Sequence, residues 1–461
     1  MSTSHGDVTS AFVDLATADF LEDYLYGGAS AITYFVRQHK KATWFSQVPV
    51  VLTTANGSAD FGNQWAASIS RAGDYLLNTW LEVVTPAITA ASGYKNYWCK
   101  NLMHNLVEEC TISFNDLVAH KFSSVDLDFW TAFTVDASKR SGYDKMIGAG
   151  VKTMAPDGQT PIFLHGLDAS VVHRLNLPLP FFFSRESGVA LPTAAIPYND
   201  MRINFRFRES AALLSSFVTT SGSEAQAAFV LGTTTSASTA PKLTTARVWA
   251  NYAIVTQAER KLMGQSPREM VIEQMQSAPI TTYKVDSNAS YDIRFSHSIK
   301  ALMFGVRNKV AHTGVYSAGP GLTYGAGGDK FSCYDVKNNA DEMAGTFERT
   351  SPLSATSLIY ENTTRLGNMP TEYFTQVNPY YHGKAIPTGD AGIHLYSYSL
   401  DLASVDPLGS TNYGKLTNVS LVPVNRTDLP ASQNEVWELC VTGINHQIVK
   451  VTGGALGFPI L

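Results

Sequence analysis

The sequence predicts an all-β chain built as two copies of one β-sandwich. Three observations carry this. Twenty prolines and 34 glycines are spread along the chain, which implies many turns between short extended segments. Several stretches rich in Thr, Ser, Tyr and Phe alternate apolar and polar residues, the period of a strand with one face in a core. The order of element types in the first half recurs in the second, long loops included. At 461 residues the chain also exceeds one ordinary core, which argues for two domains.

Residues Ala11 to Gly28 read as one short amphipathic helix, with Phe20, Leu21, Tyr24 and Leu25 on one face. Gly27-Gly28 stops it, as glycines after a helix do. Such a helix either caps one end of a β core or forms a foot that touches partners. Strand candidates follow at Ala42 to Leu52, from Tyr75 after a Gly73-Asp74 turn, and at Val107 to Leu117. Ser123 to Gly148 reads as one or two short helices ending at the glycine. The stretch Asn176 to Phe207 is punctuated by Pro178, Pro180, Pro192 and Pro197, so it is no long helix. Within it Phe181 to Phe183 fit a buried strand or strand corner. Ser184 to Gly188 is a polar turn. Met201 to Phe207 alternates apolar and polar as a half-buried strand. Ser215 to Pro241 is a Ser/Thr/Ala/Gly-rich surface loop, and Ala246 to Val255 is a further strand.

Thr256 to Gln265 is helix-like, with Thr256 as N-cap and Glu259 as its capping-box partner. The second half then repeats the pattern. Glu269 to Gln276 alternates as an opening strand, and Ile293 to Asn308 takes the place of the Tyr75 strand. Gly314 to Lys330 is another long loop, Ser357 to Leu366 a strand ending in an acidic turn, and Asn368 to Pro387 the helical, Pro-rich counterpart. His394 to Leu400, Tyr413 to Val424 and Val436 to Val451 are the closing strands. The division is an arm or helix at 1–30, a first sandwich at 31–256, a helical linker at 257–267 and a second sandwich at 268–461. Eight strands per copy with long excursions is the jelly-roll pattern.

Charged residues are 16% of the chain, well below the usual quarter. A surface so poor in charge suggests large areas buried against other chains. The formal charge is 34 − 39 = −5 with no Lys/Arg run, so no direct nucleic-acid binding is expected. The N-terminal MSTSHGDVTS lacks the basic and apolar regions of a secretory signal, and no apolar run approaches the ~18 residues of a membrane span. Four cysteines, Cys99, Cys110, Cys333 and Cys440, are too sparse for a disulfide framework and read as reduced thiols, with a Cys99–Cys110 bridge as the alternative.

The sequence carries no sign of catalytic, cofactor-binding or metal-binding residues. Gly319 to Lys330 lacks the GK[ST] of a phosphate loop, and neither GxSxG nor HExxH occurs. His104 and His297 read as satisfied core or interface histidines. Asp126 and Asp128 open like a calcium loop but lack its Gly and Glu, so they read as a solvated helix start. Tyr380-Tyr381 and Phe181 to Phe183 read as core, with subunit contact as the alternative. Asn56, Asn288, Asn362, Asn418 and Asn425 head N-x-[ST] sequons and are the candidate glycosylation acceptors. The candidate corner or subunit contacts are Arg185, Glu186, Pro192, Pro197 and Asn199; the candidate base contacts are Phe12, Phe20 and Tyr24.

LPLPFFFSR with ALP and PYN in the central stretch resembles the iridovirus major capsid protein family of the large double-stranded DNA viruses. SISRAGDYLL at Ser68 to Leu77, LDFWTAFT at Leu127 to Thr134, RFSHSIKALMF at Arg294 to Phe304, LGSTNYGKLTN at Leu408 to Asn418 and the C-terminal GGALGFPIL match in the same order. The resemblance spans nearly the whole chain. It implies a double jelly roll of two eight-stranded antiparallel sandwiches, with short helices in the inter-strand loops. It further implies a homotrimeric, nearly hexagonal capsomer that tiles an icosahedral outer shell without catalysis or cofactor. The implied partners are itself, neighbouring capsomers, and minor capsid and penton proteins, with an inner membrane nearby but not spanned. The implied place is the virion, assembled in host cytoplasm. Two other classes stay open on the residues alone. One is a β-sandwich carbohydrate-active enzyme or lectin, and the other is an exterior spike.

Overall fold

The computed structural model describes residues 8–37, 39, 41–90, 92, 94–115, 117–154, 161–218, 229–231, 241–283, 289–308, 315–316, 331–332, 334, 336–337, 349–387, 392–426 and 437–458. They form two compact units, Met1–Trp44 and Phe45–Leu461.

The first unit carries two helices where the sequence reading expected one: Val8–Ala16 and Phe20–Tyr26. Asp19 makes the break. Its carboxylate accepts from the Leu21 amide, and the Glu22 carboxylate accepts from the Asp19 amide, a reciprocal capping box that starts a new helix. The second helix ends at Gly27, whose amide bonds the Asp23 carbonyl.

In the second unit the first half of the chain builds two facing antiparallel sheets. One runs Phe45–Val51, Thr245–Val255, Tyr75–Val84, Arg174–Pro178. The other runs Thr53–Gly57, Gln64–Ser68, Met201–Phe207, Val107–Phe114, Leu117–Ser123. Met201–Phe207 is central in its sheet, and its odd-numbered residues are buried while Arg202 and Arg206 are exposed, as the alternation predicts. The second half builds a seven-stranded sheet whose spine is Arg268–Ser277, Trp437–Thr452, Ser298–Asn308 and Ile393–Ser397. A four-stranded sheet of Tyr291–Asp292, Val419–Asn425, Leu353–Tyr360 and Thr363–Pro370 completes that half. Each half thus pairs strands distant in sequence, as sandwich topologies do. Backbone pairing also joins the halves, because Val315–Tyr316 pairs with Phe229–Leu231.

Helices Ser124–Thr134 and Ala137–Ile147 follow the Leu117–Ser123 strand. Gly148 ends the second at φ +70°, where its absent side chain lets the left-handed turn form. The five-residue helix Leu102–Leu106 was not foreseen; its apolar run reads equally well as a strand. Phe181 to Phe183 are fully buried, but they form a tight corner of one helical turn at Phe182–Ser184 and no strand. Their rings pack together and against Phe122. At Thr256 the helix begins as expected, at Gln257–Gln265, but the threonine side chain makes no cap hydrogen bond. Tyr380 and Tyr381 overturn the core expectation: they are 69% and 71% exposed on the short helix Asn378–His382. The long loops expected at Ser215 to Pro241 and Gly314 to Lys330 lie mostly outside the described residues, as does Cys333. Cys99, Cys110 and Cys440 are buried thiols in no disulfide, so the Cys99–Cys110 bridge does not form.

One large apolar cluster runs through both halves, joining Trp65, Leu81, Phe122 and Phe205 to Ile272, Met275, Met303 and Leu395. A second, around Phe304, Phe374, Leu421 and Trp437, belongs to the second half. Phe181→Ala removes a ring that contacts Phe122, Phe183 and His120. It is expected to lower the unfolding free energy by ~3–5 kcal/mol, read as a shifted urea midpoint.

Candidate functional site

The chemistry-bearing side chains gather at the seam where the first half of the chain meets the second. The helix Ser124–Thr134 organises it. Asp126 stands three residues inside its N-terminus and accepts from the Ser123 amide and hydroxyl, which starts the helix. The same carboxylate also accepts from the Ser277 and Thr442 hydroxyls of two second-half strands. Asp128, on the same helix, accepts from Asn101 Nδ2 and from the Ser332 hydroxyl. Its Oδ1 lies 2.6 Å from His104 Nδ1, and His104 Nε2 lies 2.7 Å from the Tyr143 hydroxyl. The helix start was read as solvated. The structure corrects this: Asp126 is 1% and Asp128 6% exposed. Burial is tolerated because every carboxylate oxygen has a donor. His104 is the satisfied core histidine expected, though on a helix.

A second cluster forms where the proline-bounded corner meets the strand Arg268–Ser277. Arg185 Nε donates to Glu273 Oε2 at 2.9 Å, and its Nη2 donates to the carbonyls of Leu402 and Ala403. The guanidinium lies 4.3 Å from the centre of the Trp130 ring. Lys300, fully buried, donates to the other Glu273 oxygen and to the Leu402 and Ser404 carbonyls. Burial pushes the Lys300 ammonium below its ordinary range against the pull of Glu273. Two cations thus share one buried carboxylate, and backbone carbonyls supply the remaining acceptors. Arg307 pairs with Glu438 at 2.9 Å and donates to the Phe331 carbonyl. Arg208 stacks over the Phe331 ring at 4.6 Å and donates to Asn105 O and Ser124 Oγ.

Bonds between side chain and backbone close the seam. Gln274 donates to the Ala119 carbonyl, and the Met275 amide donates to His120 Nε2 at 3.2 Å. That bond requires a neutral ring with its proton on Nδ1, which is buried without a partner. Burial, reinforced by the charge of Arg185, lowers the His120 pKa to about 3. Burial likewise lowers His394 to about 4.

The expected contact residues divide. Arg185 is turned inward and couples the two halves of its own chain. Glu186 is exposed. Pro192 is buried and Pro197 exposed. Asn199 is buried; its side chain accepts from the Leu456 amide, and its carbonyl accepts from Arg71. Phe12, Phe20 and Tyr24 are 67%, 87% and 79% exposed. Asn56, Asn362 and Asn418 are exposed at turns or strand edges, whereas Asn425 accepts from the Tyr283 hydroxyl. Asn288 lies outside the described residues. Sequence reasoning missed Glu273, Lys300, Arg307 and Glu438, whose partners lie far along the chain. Among the described residues no cluster of three His, Cys, Asp or Glu could hold a metal ion.

Comparison with known proteins agrees with this architecture. The family profile for the major capsid protein N-terminus matches residues 33–255, and that for the large eukaryotic DNA virus major capsid protein matches residues 259–457. The chain is 48% identical to the major capsid protein of Invertebrate iridescent virus 6, over 100% of both chains. It is 40% identical to that of Lymphocystis disease virus 1 (isolate Darai), again over 100% of both. In structure it resembles the subunit of the PBCV-1 virus capsid, with a TM-score of 0.69 at 20% identity over 93% of this chain and 100% of that one. It also resembles the Faustovirus major capsid protein, with a TM-score of 0.65 at 11% identity over 96% and 97%. The fold shared with these structures is the double jelly roll.

Removing the shared carboxylate of the Arg185–Glu273–Lys300 cluster leaves both cations without their counterion. Glu273→Ala is therefore expected to lower the unfolding free energy by ~3–5 kcal/mol. Glu186→Ala, on an exposed side chain, should change it by less than about 0.5 kcal/mol in the same urea titration. Because His120 and His394 are held neutral, their contribution to stability is complete above the ordinary histidine pKa of 6.5. It is lost as pH falls from there toward about 3 and about 4, at about 1.4 kcal/mol per unit of depression. The melting temperature should drop across that window, and His120→Gln should flatten part of the slope.

Proposed function

The chain belongs to the major capsid protein family of large eukaryotic DNA viruses, and on that premise we propose that three copies close into one capsomer of the outer shell. The chain is a structural capsid protein of the iridovirus type, and capsid proteins of this family assemble with themselves. The observation that carries the finer reading is the repetition of a sandwich within one chain. Three chains then present six sandwiches, a nearly hexagonal outline that tiles an icosahedral surface. Closure of a ring of three uses two different patches on each copy, a heterologous contact. The division at 1–30, 31–256, 257–267 and 268–461 belongs to this proposal, and the break between the matched segments at 255 and 259 supports it.

The role is mechanical, without catalysis or a cofactor: burial within the sandwiches and between copies holds the shell. Glu186, Pro197 and the turn ending at Asn199 are offered as corner contacts, with Arg185 and Pro192 supporting that corner from within. Phe12, Phe20 and Tyr24 are offered as base contacts to minor capsid or penton proteins. Their exposure and the acidic residues beside them, Asp14, Asp19, Glu22 and Asp23, favour protein over an anionic lipid surface. No helix among the described residues is long and apolar enough to cross a membrane. The inner membrane is thus a neighbour in this proposal, and assembly takes place in host cytoplasm.

Light scattering behind a sizing column tests the trimer. A mass near three times 50.1 kDa that resists dilution is expected; a folded single-chain species overturns it. Deletion of residues 1–28 is expected to leave that mass unchanged and to abolish particle formation, counted by electron microscopy.

A further inference from the structure

One dipeptide at the edge of a first-half sheet carries chemistry that a purely mechanical role does not use. Asn56-Gly57 is the single Asn-Gly pair in the chain. It closes the strand Thr53–Gly57, an edge strand exposed along its whole length. Such a strand leaves backbone groups open to solvent. Its pairing with Gln64–Ser68 is interrupted just before the dipeptide. Thr54 faces Ala67 and Asn56 faces Ala66, so Ala55 is an extra residue, a bulge.

The backbone requires the glycine. Its φ is +76°, and a Cβ there would stand 2.2 Å from the Gln64 carbonyl oxygen. The fold therefore keeps an unshielded backbone nitrogen directly after an asparagine. That nitrogen lies 2.8 Å from Asn56 Oδ1, to which its N–H donates. Oδ1 is one C=O bond from Cγ, so the amide carbon lies within about 4 Å of the nitrogen. The hydrogen bond also polarises that carbonyl. Exposed asparagines elsewhere meet more crowded neighbours. Asn78, Asn362 and Asn418 precede Thr79, Thr363 and Val419, whose branched side chains shield the nitrogen.

We propose that Asn56 is a site of self-modification, converted in the folded chain to aspartate and iso-aspartate through a cyclic imide with Gly57. The Gly57 nitrogen gives its proton to solvent base and bonds to Asn56 Cγ. The Cγ–Nδ2 bond breaks, and Nδ2 leaves as ammonia. Water then opens the imide. Cleavage between the nitrogen and Cγ gives aspartate; cleavage between the nitrogen and the Asn56 backbone carbonyl carbon gives iso-aspartate. The balance is one water consumed and one ammonia released, with nothing oxidised or reduced. Either product adds a carboxylate to a surface poor in charge. In the iso product the main chain runs through Cβ and Cγ and is one carbon longer, so positions 56 and 57 no longer match Ala66 and Trp65 opposite. In a shell of many copies the change accumulates with age.

The full-length protein, aged in mildly alkaline buffer, tests this by peptide mapping with fragmentation that separates the two products. The peptide holding Asn56 is expected to exchange NH for O in mass and to contain iso-aspartate, which direct hydrolysis of the side-chain amide does not yield. It should convert several-fold faster than the peptides holding Asn78, Asn362 or Asn418. Asn56→Gln, whose longer side chain closes a larger ring, should abolish the change. Near-ultraviolet dichroism reports that the aged chain is folded, and hydrogen exchange over Thr53–Gly57 should quicken in it. An Asn56 that stays intact in the folded protein but converts in urea overturns the proposal, because the fold then shields the pair. Conversion without iso-aspartate overturns the imide route. A glycan on Asn56, which heads a sequon, overturns it as well, since Nδ2 is then the linkage and not the leaving group.

Discussion

The structure depends on one buried helix start. Asp126 is a capping residue for its own helix and an acceptor for hydroxyls on two strands of the other half. The two roles cannot be separated. If the helix does not form, the carboxylate is not held where Ser277 and Thr442 can reach it. If the second half is not packed, a charge is left without donors in a place water does not reach, which costs several kcal/mol. Helix formation and the joining of the halves are therefore coupled through a single side chain. Asp128, two residues on, adds His104, Asn101 and Ser332 to the same arrangement.

Around that helix the ion pairs specify as much as they stabilise. A well-packed apolar seam of equal size would hold the halves as firmly, since buried pairs roughly break even against hydrophobic replacements. What polar groups add is a penalty for every other alignment. Arg185 can satisfy its donors only where Glu273 and the Leu402 and Ala403 carbonyls converge. Slippage of the strand Arg268–Ser277 by one residue would turn Glu273 to the opposite face and strand both cations. The common apolar cluster supplies adhesion; the charges fix its register.

This division explains what could be read from the sequence. Met201–Phe207 and the helix pair ending at Gly148 were legible because their signals are local: alternation and a terminal glycine. The strand read over Ser357 to Leu366 is instead a hairpin of Leu353–Tyr360 and Thr363–Pro370, turning at Glu361-Asn362. The two-helix arm was legible in principle, since D-x-x-E at Asp19 and Glu22 is a capping signature, but Asp19 stands between apolar stretches that suggest one continuous face. The seam was not legible. Asp126 meets residues 151 and 316 positions away, and Arg185 meets Glu273 at 88. Short-range patterning assigned Asp126 to water, because an isolated acid usually is solvated, and Arg185 to a polar turn with a contact to another chain. Tyr380 and Tyr381 failed in the opposite direction: paired aromatics ordinarily mark a core, and here they face outward.

The same chemistry bears on assembly. The chain has few charges, 34 basic and 39 acidic among 461 residues. Among the described residues, Asp74, Glu82, Asp126, Asp128, Glu273, Lys300, Arg307 and Glu438 are buried. Charge is thus drawn inward, and at Asp126, Asp128 and Glu273 it fixes the halves against each other; the surface is left poorer still. A free monomer would bear this as a solubility liability. For a chain that lives among copies of itself the consequence reverses, because large apolar contacts form without the desolvation cost that charged rims impose. The rigid internal seam matters for the same reason. Contacts with a neighbour hold both sandwiches in place only if the two do not move against each other, so the interactions that define one subunit are a precondition for those that join many.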